Sequence, residues 1–266
     1  PDTPGADFGV IFIHNEGYST GCGHAVIALT KVIVETGLIP MTEPETEVKM
    51  DVPSGFIQSF AQVKNDEVTG VRFQNVPSFV QALDAEVDVQ GFGKIKYDLA
   101  FGGAFYAFVD VNQVGLDCTE EYYNALVDVG KKIKHAVMDA VSMAHPTEPD
   151  MNFLYGTIFI GSAKDPNHHS RNVCIFAEGE VDRSPTGTGV SARAAIHYVR
   201  GEIDVGESIT IESIIGSTFT VKVAESTSFG PYDAVIPEVS GNAHIIGKNT
   251  FWINPDDPLK GGFILR

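Results

Sequence analysis

Residues 19–25 read Ser-Thr-Gly-Cys-Gly-His-Ala, and residues 182–189 read Asp-Arg-Ser-Pro-Thr-Gly-Thr-Gly. Each run follows a short apolar stretch that ends in Glu-Gly: Ile11-Phe12 leads to Glu16-Gly17, and Ile175-Phe176 leads to Glu178-Gly179. Each then enters a segment whose Ala and Ile residues carry helical spacing. The chain therefore states one local structure twice: a strand, a tight Gly turn, and a helix N-terminus bearing a small nucleophilic side chain. The first copy presents the thiol of Cys22 and the second the hydroxyl of Thr186.

Around the two runs, strand and helix signals are mixed. Residues 10–13, Val-Ile-Phe-Ile, predict a short buried strand. Gly23 to Thr36 predicts a helix, with Ala25, Ile27, Ala28, Val32 and Val34 apolar and Gly37 closing it. Its β-branched residues are poor helix formers, so burial must hold it. From Glu47 to Gly93 apolar and polar residues alternate between Gly and Pro, as in Val71-Arg72-Phe73-Gln74-Asn75-Val76. That pattern predicts several antiparallel strands. Lys94 to Asp110 predicts two more around Gly102-Gly103.

The clearest helix is expected over about Glu120 to Ala144, with Thr119 as N-cap and Glu120 and Glu121 at the positive end of its dipole. Strands return over Phe153–Gly161 and Asn172–Phe176, and a further helix over Gly187–Arg200 is closed by Gly201. The remainder, with Ser208-Ile209-Thr210-Ile211 and Ser217-Thr218-Phe219-Thr220-Val221, is strand-rich, and Pro231 and Pro237 mark turns or strand ends. Long helices mixed with antiparallel strands give an α+β class.

The chain has 266 residues, enough to bury a full core as one large domain or two smaller ones. Its formal charge of −17 repels phosphate, which argues against nucleic acid and anionic membranes as partners. An anionic substrate would have to be held against that field by local groups such as helix N-termini. Cys22, Cys118 and Cys174 are odd in number and widely spaced, which suggests neither a disulfide framework nor a metal site and fits a reducing cytoplasm. No apolar run approaches the roughly 18 residues that span a bilayer. The opening Pro1-Asp2-Thr3-Pro4-Gly5 lacks the basic and apolar regions of a signal peptide.

A free cysteine is ordinarily a small buried hydrophobe. Cys22, however, stands between Gly21 and Gly23 at a helix start, where backbone N–H groups and the dipole favour a thiolate able to act as base or nucleophile. Cys118 and Cys174 lack that setting and are expected to pack. His24 is two residues on, a spacing that does not make the two side chains face each other on a helix, so a Cys/His hydrolase pair fits poorly. His24 either caps the helix or contacts a ligand. His168-His169 lies in a polar Asn/Ser loop without further ligands at metal spacing, so no metal is expected there.

Thr186-Gly187-Thr188-Gly189 lacks the Lys of a P-loop and reads better as a nest whose N–H groups cradle a carboxylate. Asp182 and Arg183 either pair on the surface or, with Pro185 stiffening the turn, Asp182 is aimed inward to bind a cationic amine. Two facing helix N-termini on one carboxylate, with an Asp beside them, suit an α-amino or α-imino acid. The chemistry indicated is proton abstraction α to a carboxylate without a cofactor.

At these residues the sequence resembles the proline racemase family, whose fold is that of diaminopimelate epimerase. The family carries Cys-Gly-His in one lobe and Asp-Arg-Ser-Pro-Cys-Gly-Thr-Gly in the other. The first motif is matched at Cys22, Gly23 and His24; the second at Asp182 to Pro185 and Gly187 to Gly189, with Thr186 replacing its cysteine. The likeness extends over Phe8 to Leu29, Gly102-Gly103-Ala104-Phe105-Tyr106-Ala107-Phe108, Phe153-Leu154-Tyr155-Gly156-Thr157 and Asp257-Pro258-Leu259, so it covers essentially the whole chain. Gly21 stands where the family usually has a larger residue, often Met. The family also has a further N-terminal segment, completing the first lobe and lending the pocket an aromatic residue, for which this sequence has no counterpart.

The resemblance implies two similar lobes, each a curved, mostly antiparallel sheet around a central helix. The first is expected over about residues 1–88, with a C-terminal return at about 250–266, and the second over about 89–249. It implies carboxylate binding by Gly23, His24, Gly187 and Thr188, and ring-nitrogen binding by Asp182; Phe176 is either a pocket wall or a strand core residue. The Cys/Thr pattern is similar to the trans-3-hydroxy-L-proline dehydratase branch, with Cys22 and Thr186 as the catalytic pair. Stereochemistry agrees. In that substrate the hydroxyl lies on the same ring face as the Cα hydrogen, so one thiol suffices, whereas racemisation needs an acid on the opposite face. The expected partner is a small imino acid, with a homodimer left open. The rivals are a hydroxyproline epimerase or proline racemase using water or Thr186 as second acid, and a non-catalytic imino-acid-binding relic; a cysteine hydrolase is more remote.

Overall fold

A computed structural model describes residues 1–14 and 17–262. Among them are fifteen strands and three α-helices. The chain opens with β1 (Phe8–Gly9), the hairpin β2 (Phe12–His14) and β3 (Gly17–Ser19), and α1 (Gly23–Glu35). Then come β4 (Glu45–Val52), β5 (Gly55–Lys64), β6 (Glu67–Gln74), β7 (Ser78–Val89), β8 (Gly93–Phe101) and β9 (Phe105–Asp110). After α2 (Tyr123–Ala140) follow β10 (Leu154–Gly161), β11 (Ser170–Phe176), β12 (Glu180–Val181), α3 (Gly187–Val199), β13 (Ser208–Glu212), β14 (Thr218–Phe229) and β15 (Tyr232–Gly241). The sequence places almost all of these elements, and the mixture is α+β with sheet dominant.

Strand order explains the shape. One sheet runs β1-β4-β5-β6-β15-β14-β13-β11-β10-β9-β8-β7, and β7 pairs back to β15 through Ala234–Phe79 and Val235–Ser78. Eight strands, β7–β11 and β13–β15, therefore close a barrel, and β1 and β4–β6 extend from it through the β6–β15 pairing. Most neighbours are antiparallel, with β1–β4, β9–β10 and β11–β13 parallel. α3 is buried along nearly its whole length. Its Ala192 and Ile196 cluster with Ala100, Tyr106, Ile158 and Cys174, while Val190, Ala194 and Ala195 join residues of β13–β15. That all-round burial is why its sequence shows little polar face. α1 packs through Val26, Ile27, Ile33 and Val34 against β5 and β6, as its β-branched composition requires.

Several expectations are corrected. Val10 and Ile11 lie between β1 and β2 and belong to neither. Thr119 makes no side-chain capping bond; a 3₁₀ turn over Glu120–Tyr122 precedes α2, which ends at Ala140 rather than Ala144. Pro237 lies inside β15, not at its end: it faces Val223 where β14 carries a bulge, and there a missing N–H costs nothing to the ladder. β7 falls within the range expected for the first lobe, yet it pairs with β8 and β15. Residues 242–262 form no strand and are mostly exposed; 263–266 of the expected return lie outside the described residues, as does Glu16 of the first Glu-Gly pair. No helix among the described residues is long and apolar enough to cross a membrane.

Candidate active site

Each motif run follows a hairpin and enters a helix. The β2–β3 pair leads to α1, and β11–β12, turning at Gly179, leads to α3. Cys22 and Thr186 occupy the two N-cap positions, and neither side chain closes its own helix. The first intrahelical bonds run from Val26 N–H to the Cys22 carbonyl and from Val190 N–H to the Thr186 carbonyl. The N–H groups of residues 23–25 and 187–189 therefore stand outside the helical ladder. The helices meet end to end at Gly23 and Gly187, where a Cβ built on either residue would lie 2.5 Å from the other's Cα. Only glycine at both positions permits this approach. It brings two positive helix ends to one place, a geometry that favours an anion. Gly102 serves the same assembly: its Cβ would sit 2.2 Å from the Thr188 carbonyl, so the β8–β9 turn also abuts α3.

Thr186 holds φ +68°, a left-handed conformation that a β-branched residue adopts only under constraint, at roughly 1–3 kcal/mol. The constraints are visible. Its Oγ1 donates to Asp182 Oδ2 at 3.0 Å, its N–H donates to Ser184 Oγ at 3.1 Å, and the preceding Pro185 carbonyl accepts from Asn172 Nδ2 at 3.0 Å. Asp182 Oδ1 accepts from Ser184 N–H at 2.8 Å and lies 3.3 Å from His24 Nδ1. Burial pushes the Asp182 carboxyl up; hydrogen bonding and charge from His24, with Ser184 and Thr186, outweigh it and hold the carboxyl below its usual range. Asp182 is thus turned inward, whereas Arg183 is exposed.

Cys22, Gly23, His24, Phe176, Asp182, Thr186, Gly187 and Thr188, all singled out from sequence, line one cavity of about 200 Å3. One pairing differs from expectation. His24 Nδ1 lies 3.0 Å from Ser184 Oγ and 3.3 Å from Asp182 Oδ1, and the Cys22 thiol stands near enough to act on its imidazole. The spacing rule fails because Cys22, with φ −147° and ψ 92°, is extended rather than helical. The cavity also has walls the sequence did not reveal. Tyr155 stacks on Phe176 with centroids 5.4 Å apart, Tyr106 meets Tyr155 edge-on at 5.6 Å, and the Tyr106 hydroxyl bonds Thr188 Oγ1 at 2.8 Å. Cys174, expected only to pack, is buried and its thiol is pushed up by that burial, yet it lines the cavity. Its place two residues before Phe176 on β11 was the available signal, since alternate strand residues share a face.

The family model for proline racemase matches residues 1–264. The chain belongs to the proline racemase family. A trans-3-hydroxy-L-proline dehydratase of Colwellia psychrerythraea is 51% identical over 97% of this chain and 73% of its own length. A 3-hydroxyproline 2-epimerase of Burkholderia multivorans is 45% identical over 100% of this chain and 79% of its own. The crystal structure of a hydroxyproline epimerase from Agrobacterium vitis with bound trans-4-hydroxy-L-proline superposes with a TM-score of 0.93 at 35% identity, covering 100% of this chain and 76% of that one. The fold is accordingly that of the proline racemase family.

The remaining polar cluster of this family member is structural. Glu212 accepts from the N–H groups of Lys164 and Asp165, from His168 Nδ1 and from Arg171. Burial raises its carboxyl, but these donors bring it down to about 2. His169 bonds Ser170 and packs edge-on against His197. The two adjacent histidines thus anchor the loop before β11.

His24 gives a pH prediction. Hydrogen bonding to Asp182, and then to Cys22, raises its imidazole from 6.5 to about 10. A raised pKa stabilises the fold fully below about 6.5, and that contribution fades as pH rises through about 10. Asp182, held low, stays ionised throughout that window. The melting-temperature difference between wild type and His24→Gln is therefore expected to be largest near pH 6 and to shrink toward zero above pH 10. A difference that grows with pH would overturn the pairing.

Proposed function

We propose that the chain dehydrates trans-3-hydroxy-L-proline to Δ1-pyrroline-2-carboxylate without a cofactor, as a hydro-lyase. One observation carries this reading: of the two facing N-caps, one bears a thiol and the other a hydroxyl that already donates to Asp182. The site so equipped has a base for one face of Cα and no acid of comparable strength at the other cap. The free N–H groups of 23–25 and 187–189, with the His24 imidazolium, receive the substrate carboxylate, and the ionised Asp182 receives the ring ammonium. Phe176 and Tyr155 wall the ring.

With the carboxylate so held, charge developing at Cα is stabilised by the two helix ends. Cys22 as thiolate takes the Cα proton. The C3–O bond breaks, and the hydroxyl, on that same face, leaves as water with the proton from the Cys22 thiol, which returns the thiolate. The enamine then moves its N–H proton to C3, giving the Δ1 imine. We read the molecule as two lobes, the first with α1 against β4–β6 and the second with α3 inside the closed ring; the strand pairing supports a junction near residues 75–77.

Incubation with trans-3-hydroxy-L-proline in deuterated water, followed by NMR, tests this. Appearance of pyrroline-2-carboxylate supports it; persistent substrate with inverted Cα favours epimerisation, and saturable binding of proline without turnover favours a binding protein. Thr186→Cys is expected to introduce measurable Cα inversion by placing a second thiol at the facing N-cap. Dehydration alone, with no inversion, would mean that the left-handed backbone or the Asp182 bond, not the missing thiol, sets the outcome.

A further inference from the structure

Along β11, Ser170, Asn172, Cys174 and Phe176 share one face. Cys174 and Phe176 reach the cavity, while Ser170 and Asn172 meet the buried Arg193 of α3. Asn172 is 1% exposed and Arg193 2% exposed. Arg193 Nη1 donates to Ser170 Oγ at 2.6 Å and to Asn172 Oδ1 at 3.0 Å, and Asn172 Nδ2 donates to the Pro185 carbonyl at 3.0 Å. The guanidinium therefore dictates which end of the amide is oxygen. Rotated by 180°, the amide would set its oxygen against the Pro185 carbonyl and its NH₂ against a cation.

Pro185 immediately precedes Thr186, the residue strained at φ +68°. Among the described residues no carboxylate pairs with Arg193 directly; its Nη2 contacts His197, which in turn bonds Glu202. Burial accordingly depresses the guanidinium to about 10, a cost that packing alone would not call for.

We propose that Asn172, oriented by Arg193, is a positioning residue that fixes the Pro185 carbonyl and so holds Thr186 and Asp182 where substrate meets them. The activity readout of this idea rests on the dehydration proposed above; a second readout does not. Asn172→Asp is nearly isosteric, pairs Arg193 with a carboxylate and removes the donor to Pro185. Expected are a melting temperature near wild type, because the new Arg193–carboxylate pair offsets the oxygen set against the Pro185 carbonyl, turnover lowered on the order of 10–100-fold, and a His24 imidazole midpoint, followed by NMR, lowered by about one unit or more. A purely structural residue would not show stability held while both other readouts fall. Turnover and His24 midpoint both at wild-type values would overturn the proposal. If Asn172→Asp does not fold, Asn172→Ser, too short to reach Pro185, is expected to lower the His24 midpoint likewise, and an unchanged midpoint there would overturn it. If the wild-type chain itself shows no dehydration, the proposed function falls, and the His24 midpoint still decides the role of Asn172.

Discussion

Replacing the Cys22 thiol by a hydroxyl, Cys22→Ser, is expected to lower dehydration of trans-3-hydroxy-L-proline by roughly 10²–10⁴-fold, the range that a positioned general base contributes. A serine hydroxyl does not ionise at neutral pH, so the Cα proton loses its acceptor, and the departing hydroxyl loses its donor. The fold should not suffer. Cys22 caps α1 without a side-chain bond, and serine is among the better N-cap residues. Serine can also occupy N–H groups that the substrate carboxylate would otherwise use, which weakens binding besides removing the base. The measurement is turnover together with thermal unfolding. A variant that folds and keeps most of the wild-type rate would remove Cys22 from the chemistry.

Gly187→Ala is expected to abolish both activity and imino-acid binding and to cost stability on the order of 1–3 kcal/mol or more, as overpacking of a tight contact does. The added Cβ would lie 2.5 Å from Gly23 Cα and 3.1–3.2 Å from the Gly23 carbonyl carbon and nitrogen. Those are backbone atoms on a helix end, so relief comes only by driving α1 and α3 apart, which also disperses the N–H groups proposed to hold the carboxylate. Gly189→Ala is the comparison. Its closest contact, at 2.4 Å, is the Cδ1 end of Ile158, which can rotate away more cheaply. Urea unfolding and ligand titration of both variants decide the matter. Equal stability and binding in the two would mean the helix ends have slack that the geometry denies.

What the sequence made legible follows from where the chain has little freedom. The Gly-flanked runs at Cys22 and Thr186 are confined by close approach, and their residue types alone point to the facing helix ends. Gly37 and Gly201 stand just past α1 and α3, and Gly103 stands in the β8–β9 turn, all at positive φ that few other residues tolerate. Elsewhere tertiary context overrode the local signal. The His24–Cys22 contact escapes helical spacing because one partner precedes the helix. Pro237 sits within a strand because a bulge in the facing strand absorbs it. Nothing local tells β7 to join strands far along the chain, and nothing local joins Asn172 to Pro185, since that pairing exists only once α3 has brought Arg193 to the amide.

The ring of strands has a consequence for synthesis. β15 alone bonds β14 on one edge and both β6 and β7 on the other, with Asn75 N–H donating to the Pro237 carbonyl where β6 passes into β7. On a ribosome, β7 waits for a partner made roughly 150 residues later, some ten to thirty seconds at ordinary elongation rates. During that interval the edge of β7 is uncovered and, once α3 has been made, so is its apolar flank. A nascent chain held before Tyr232 is therefore the form of this protein on which chaperones should act most, and slowing translation before β15 should cost yield of soluble enzyme even where no residue is changed.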